Sequence, residues 1–337
     1  MTLVHDTELQ PAAPHQDSHW HIQRGMVRPQ PQRHTEHPRS HIEPRRVHVK
    51  RWWAALGLLP GAVALQAVQR HGWPATLGLS LLAGLGAGYV RWFEPTHPTL
   101  ERQTFRFRHL PAALDGLRIG QISDLHLGLP YAANNLRWAL EQLQREKPDL
   151  IVITGDAVHC TRAIPEVVAL LRGINAPLGV FAVPGNHDYW EGIDDLNGAY
   201  ALLGIDMLCN TARQIQWNGA SFWLAGVDDM WEGDAKLNQA LAGIPTDQFT
   251  VLLAHAPDIA DEASHSHVAL QLSGHTHGGH LRLPRMGPFA KPRFGLRYVM
   301  GRYQVGQLQV YVARGLGGKP LRLFCRPEAT IITLRHG

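Results

Sequence analysis

Cysteine is scarce in this chain of 337 residues: Cys160, Cys209 and Cys325 stand far apart and form no C-x-x-C pair. That spacing suggests neither a disulfide framework nor a zinc knuckle, and buried free thiols are expected instead. No internal repeat is evident. A continuous basic stripe is also missing outside the amino-terminal tail. The formal charge of +4 and the pI near 9.1 draw heavily on residues 1–51, so nucleic-acid binding does not follow from them. Residues 1–51 in turn have few large apolar side chains but carry eight histidines and six prolines. Such a composition buries too little surface to offset the entropy of ordering, and a disordered tail is expected. A metal-buffering role for its histidines and a start at Met26 are the alternatives.

Past the tail the chain turns strongly apolar. Trp52 to Gln69 and, after Arg70-His71-Gly72, Trp73 to Val90 make two apolar runs. Each has about 18 residues, near the lower end of the roughly 17–25 that a spanning helix needs. One reading makes residues 52–92 an apolar hairpin of one or two transmembrane helices. Arg45, Arg46, Lys50 and Arg51 precede it and Arg91, Arg102, Arg106 and Arg108 come after it. The excess of positive charge then places both ends in the cytoplasm, with a catalytic domain over 93–337 facing inward from a bacterial inner membrane. Trp52, Trp53, Trp73, Tyr89 and Trp92 fall where interfacial anchors belong. The other reading takes Pro44 to Lys50 as a twin-arginine export signal, with the first run as its apolar core.

Beyond Pro95 short β-like runs alternate with helical segments, as in an α/β sandwich. Strands are expected over 117–123, 150–154, 179–183, 221–227, 249–254 and 268–272, and in a strand-rich last third over 298–305, 308–313 and 330–334. Helices are expected over 132–146, 164–171 and 194–203. Leu150 to Thr154 is continuously aliphatic, hence buried on both faces. Five of these strands end in polar loops: Ser123-Asp124-Leu125-His126, Gly155-Asp156, Gly185-Asn186-His187-Asp188, Ala254-His255 and Gly274-His275-Thr276-His277. Open α/β sheets bind their ligands at such carboxyl ends.

Hydrolysis of a phosphate ester is slow because water is a poor nucleophile and the phosphorus is ringed by negative oxygens. Two divalent cations roughly 3.5 to 4 Å apart answer both difficulties, and such a pair needs several protein donors with one carboxylate shared. The five loops supply Asp124, His126, Asp156, Asn186, His255, His275 and His277. With imidazoles and carboxylates but no thiolate, this shell suits manganese, iron or zinc better than magnesium. Manganese is favoured.

The ordered set D-x-H, G-D, G-N-H-D, H and G-H-x-H resembles the calcineurin-like metallophosphoesterase superfamily over residues 117 to about 281. Gly278-Gly279, Leu281 to Pro284, Gly315 to Gly317 and Arg326-Pro327-Glu328 are similar to its membrane-anchored bacterial phosphodiesterase subfamily. Relatives there include UDP-2,3-diacylglucosamine pyrophosphatases of lipid A synthesis. The resemblance implies an αββα sandwich of two mixed sheets. It implies a first metal on Asp124, His126 and His277, a second on Asn186, His255 and His275, and Asp156 between them. The attacking group would be a hydroxide bridging the metals, with His187 as the catalytic proton donor or charge stabiliser at the leaving oxygen. Asp188 either orients His187 or serves as a capping carboxylate.

His280 stands where that subfamily has glutamine, either facing substrate or as a tolerated change. His109 and His159 are expected as solvated loop residues. Tyr189, Trp190, Met230 and Trp231 either line a groove or pack loops. Arg282, Arg285, Lys291 and Arg293 either meet anionic head groups or form a solvated loop. The expected function is a membrane-associated phosphodiesterase or pyrophosphatase acting on a phosphate ester, with a lipid-linked pyrophosphate as the specific candidate and no nucleic-acid partner. A nucleic-acid or nucleotide phosphodiesterase is the alternative enzyme. A non-catalytic, membrane-tethered metal-binding protein is the alternative of another class.

Overall fold

A computed structural model describes Arg70 and residues 72–337. The expected tail, the first apolar run and the export motif lie outside the described residues. The second run forms helix α1 (Trp73–Gly88) and passes through a π-helical turn, Tyr89–Phe93. Leu77, Leu79, Leu81, Leu82 and Leu85 are all exposed on it. Among the described residues no helix is long and apolar enough to cross a membrane.

The domain beyond is built of two six-stranded sheets. Strands β1 (Thr99–Phe107), β2 (Arg118–Ile122), β3 (Leu150–Thr154), β4 (Val180–Val183) and β5 (Ile205–Met207) enter the first sheet. Strands β6 (Thr211–Trp217), β7 (Ala220–Gly226), β8 (Thr250–Leu253) and β9 (Leu270–Ser273) enter the second. A short ribbon, β10 (Arg282–Leu283) with β11 (Gly287–Pro288), stands apart. The chain completes the second sheet with β12 (Gly301–Val305) and β13 (Leu308–Val312), then returns to the first as β14 (Glu328–His336). The orders are β1-β14-β2-β3-β4-β5 and β12-β13-β9-β8-β7-β6.

Each sheet has a parallel centre. Strands β2 to β5 run parallel in one and β7, β8, β9 and β13 in the other. A parallel centre buries both faces, and β3 shows why its sequence is aliphatic throughout. Leu150 and Val152 join the core between the sheets, while Ile151 and Ile153 face the opposite way. That outer face is covered by helices α2 (Ala132–Glu146), α3 (Ile164–Leu171) and α5 (Ile193–Leu202), the last coming after the short helix α4 (Asn186–Glu191). On α2 the buried Leu136, Ala139 and Leu143 fall at helical spacing, so one stripe meets the sheet. The second sheet is covered in the same way by two single-turn helices, α6 (Leu237–Ala240) and α7 (Ala260–Ala263).

The expected two-sheet α/β architecture is therefore what the chain forms. Besides the two-residue strands of the β10–β11 ribbon, three strands escaped the reading of the sequence. Two are edge strands, β1 and β6, in which exposed polar residues interrupt the apolar pattern. The third, β5, has only three residues. The expected strand at Tyr298 starts instead at Gly301, because a turn held by the Tyr303 hydroxyl comes first: it accepts the N–H groups of Val299 at 2.8 Å and Met300 at 3.2 Å.

Candidate metal centre

The parallel neighbours β2, β3 and β4 end side by side, as do β8 and β9, and the two sheets join at these ends. Gln121 on β2 donates to the Ser273 carbonyl on β9 at 3.0 Å, and the Gly274 N–H meets the His255 carbonyl at 3.0 Å. The loops after these strands turn sharply. Asp124, His126, Asp156, His275 and His277 all have positive φ, between 46° and 71°. Such a conformation is costly for residues with side chains and collects at functional sites, where the surroundings enforce it. Two glycines make the close approach possible. A Cβ on Gly274 would collide with Ser123 Oγ and the Asp124 carboxylate, and one on Gly185 with the Asp156 carboxylate.

The structure groups six of the seven expected donors in two sets. Asp124, His126, Asp156 and His277 offer ligand atoms within 4.8 Å of one another, as do Asp156, His255 and His275. Asp156 belongs to both. Its Oδ2 lies 3.5 Å from His126 Nε2 and 3.3 Å from His255 Nε2, while His277 Nε2 lies 3.5 Å from Asp124 Oδ1. Asn186 points a buried Oδ1 that has no hydrogen-bond partner among the described residues.

Second partners fix which ring nitrogen is offered. His255 donates through Nδ1 to the Thr154 carbonyl at 2.8 Å, leaving Nε2 for the site. His275 donates through Nε2 to the Arg293 carbonyl at 2.6 Å, so its Nδ1 faces His255 Nε2 at 3.1 Å. Likewise His126 and His277 bring their Nε2 atoms within 3.2 Å. At that range each pair of nitrogens either shares one proton as an N–H···N hydrogen bond or gives both lone pairs to a cation.

Charge tells the same. Burial pushes His126 down to about 3 and His275 to about 4, and holds His277 well below its usual range, so all three are neutral, as ligands must be. For His255 burial works the same way, but the Asp156 carboxylate outweighs it and holds a proton on the ring. Burial would raise Asp156, yet the nearby His255 charge keeps it ionised. Burial, with the Asp156 charge added, pushes Asp124 up to about 7. A buried carboxylate that stays ionised by keeping a proton on the neighbouring ring marks a place that calls for positive charge, which a divalent cation would supply in that proton's stead. The orphaned Asn186 oxygen and the converging lone pairs fit divalent cations in both sets.

His187 and the remaining candidates divide. His187 is not in either set. Its ring packs edge-on against His126 and Trp190, each at 4.6 Å between centroids, at the wall of a cavity of about 510 Å³ that opens over the donors. Asp188 makes no hydrogen bond to that ring. Its buried carboxylate accepts the N–H groups of Asp156 at 2.9 Å, Ala157 at 2.8 Å and Gly185 at 2.9 Å, and is thus the capping carboxylate of the two alternatives. Asp188→Ala leaves three buried donors without an acceptor, each worth about 1–3 kcal/mol. Urea unfolding of that variant is expected to show a loss of about 3 kcal/mol or more.

His159 is exposed, as expected of a loop residue, but it also stacks on His187 at 5.4 Å and lines the cavity. No motif surrounds it, so the sequence carried no signal. His109 is exposed. His280 stacks on His277 at 4.6 Å and faces the cavity, with a buried Nδ1 that has no partner among the described residues. Trp190 and Trp231 line the cavity edge to face at 5.5 Å, whereas Tyr189 turns its hydroxyl to Asp228. Lys291 lines the cavity, and the Arg293 guanidinium sits over the Phe294 ring at 4.6 Å. A larger hollow of about 760 Å³ lies near the start of β3, between α2 and α3, and holds none of these residues.

Sequence reasoning also missed Arg322, which is fully buried. It donates to the carbonyls of Gly317 at 2.6 Å, Arg314 at 3.0 Å and Cys325 at 3.1 Å, tying the loops behind His277 together. Glu328, from the closing R-P-E, is equally structural: it pairs with Arg314 and accepts the Tyr311 hydroxyl at 2.8 Å.

Comparison with known proteins agrees with this geometry. The model of the calcineurin-like phosphoesterase family matches residues 117–279. The chain is 35% identical to the uncharacterized metallophosphoesterase YkuE of Bacillus subtilis, over 76% of this chain and 92% of that protein. It is 34% identical to phosphodiesterase YaeI of Escherichia coli, over 74% and 93% of the two chains. A Danio rerio protein named transmembrane protein with metallophosphoesterase domain is 34% identical, over 67% of this chain and 55% of that one. With the donors gathered at the strand ends and the match to YkuE nearly spanning that relative, the chain belongs to the calcineurin-like phosphoesterase family and is a metal-dependent hydrolase of phosphoric esters.

Proposed function

We propose that the protein is a phosphodiesterase or pyrophosphatase working with two divalent metal ions, manganese first among them. The observation that carries this reading is Asp156, whose one carboxylate serves both donor sets. Asp124, His126 and His277 would hold one ion and Asn186, His255 and His275 the other, with Asp156 between them. Bound as a pair, such ions lower the pKa of a shared water and neutralise charge gathering on the transferring phosphoryl group. The chain's own part is to hold the donors rigidly, through the Thr154 and Arg293 carbonyls, and to present His187 at the cavity wall toward the leaving oxygen. Burial holds the His187 imidazole below its usual range, so at neutral pH it offers a neutral N–H to that oxygen.

For substrate, the cavity has an aromatic side at Trp190 and Trp231 and an apolar and basic side at Leu281, Phe289, Lys291 and Lys319. That pairing favours an amphiphilic phosphate, and a lipid-linked pyrophosphate of the UDP-diacylglucosamine type is the specific candidate. The exposed leucines of α1 support a membrane location, and the basic residues flanking the apolar runs, Lys50 and Arg51 before them and Arg91 after, favour a domain that faces the cytoplasm. A nucleotide diester is the second reading, favoured by the two tryptophans, which can stack a base. Chelation of the full chain followed by manganese titration is the test. Hydrolysis of bis(p-nitrophenyl) phosphate is expected to vanish and to return as two equivalents bind. Full recovery with one equivalent would overturn the paired site.

A further inference from the structure

Between Glu262 and Glu328 the chain has no acidic residue and ten Lys or Arg. Some of these cations have internal work. Arg297 pairs with Asp261, Arg314 with Glu101 and Glu328, and Arg322 is buried among carbonyls. Arg285, Lys291, Arg293 and Lys319 form no ion pair among the described residues. The same segment also exposes large apolar side chains: Met286 at 78%, Phe289 at 66%, Phe324 at 56% and Leu321 at 41%. Folding normally hides such groups, and an exposed cluster of them beside uncompensated cations marks a surface made for a partner.

These residues share one edge of the molecule. Leu281 bridges Leu323, and the Arg282 N–H meets the Leu323 carbonyl at 3.2 Å, which joins the β10–β11 ribbon to the segment 319–324. That segment is tied in turn to the end of the apolar helix. The Arg322 N–H donates to the Val90 carbonyl at 3.0 Å and the Cys325 N–H to Glu94 Oε1 at 2.7 Å, next to the exposed Trp92 and Phe93. Phe289 and Leu321 belong at once to this edge and to the cavity lining.

We propose that the rim formed by the β10–β11 ribbon and residues 319–324 seats on an anionic lipid bilayer, so that the cavity opens onto the membrane. Apolar side chains enter the interfacial layer while arginine and lysine meet the head groups, the combination by which monotopic surfaces bind. A polyanion such as nucleic acid would use the cations but gains nothing from Met286 and Phe324 protruding beside them. The proposal rests on the hydrolase reading only in taking the cavity as the active site.

The test uses the full chain with Cys160→Ser and Cys209→Ser, leaving the buried Cys325, and Met286→Cys carrying an NBD fluorophore. On vesicles of phosphatidylglycerol and phosphatidylcholine the probe is expected to shift to the blue. Nitroxide lipid should quench it and aqueous iodide should not, while the same probe at Gln214→Cys, on edge strand β6, stays open to iodide. Adding Arg285→Glu should lower the docked fraction about fivefold per charge removed. A Met286 probe that remains open to iodide on the vesicles overturns the proposal, as does displacement of the vesicles by a single-stranded oligonucleotide. Hydrolysis of bis(p-nitrophenyl) phosphate is measured in the same sample. A docked probe without manganese-dependent hydrolysis would overturn the functional reading and leave the docking surface standing.

Discussion

Asp156→Ala is expected to abolish manganese-dependent hydrolysis of bis(p-nitrophenyl) phosphate while the fold persists. The residue is nearly inaccessible to solvent and lies between His126 and His255, at 3.5 and 3.3 Å. Removing it takes away the one anion common to both donor sets, and with it the negative charge that would offset the mutual repulsion of two cations. If the metal pair supplies several kcal/mol of transition-state stabilisation, the loss is about 1,000-fold or more at 1.36 kcal/mol per factor of ten. Metal content by elemental analysis should fall with the rate, and circular dichroism should remain that of the parent. Undiminished hydrolysis in a folded variant would remove the basis of the shared site.

His187→Ala should separate rate from metal. The ring lies outside the two sets that share Asp156 and is held by His126, His159 and Trp190, although with His126 and His159 it forms a third group whose ring nitrogens lie within 4.8 Å of one another. Both equivalents of manganese should therefore stay, while turnover drops by about 100-fold to 1,000-fold, the usual cost of removing one hydrogen-bond donor to a developing oxyanion. The loss should be greater for a phenyl ester than for a p-nitrophenyl ester, because the poorer leaving oxygen depends more on a donor. Stoichiometric metal loss would make His187 a ligand, and equal losses on both esters would deny it the leaving-group role. His159→Ala in the same assay shows how far the stacked ring helps to hold His187 in place.

Much of this molecule was legible in the chain because the signals are local. Leu150 to Ile153 is aliphatic at every position, and with Thr154 it makes a central parallel strand. Leu136, Ala139 and Leu143 repeat at helical spacing, and they face a sheet. Each donor could be named because it sits in the loop right after such a strand. Edge strands β1 and β6 were not legible: one face of each is wet, and their pairing depends on residues far away, as when Thr99 registers with Glu328. Asp188 was ambiguous for the same reason, since the N–H groups its carboxylate accepts include those of Asp156 and Ala157, far earlier in the chain.

Order and identity of the seven candidate donors thus belong to the primary structure, as does the apolar and basic character of residues 263–327. Local patterning suffices for these because strand period, glycine turns and side-chain chemistry act over a few residues. What the tertiary structure alone decided is how the donors divide and what surrounds them. Asp156 falls in both sets, His159 comes to stack on His187, Arg322 is drawn in to brace the loop behind His277, and the ribbon at Met286 is joined to the helix end at Val90. Each of those outcomes depends on two sheets meeting at their carboxyl ends. That meeting is set by burial of the cores between and outside them, and no short stretch of chain records it.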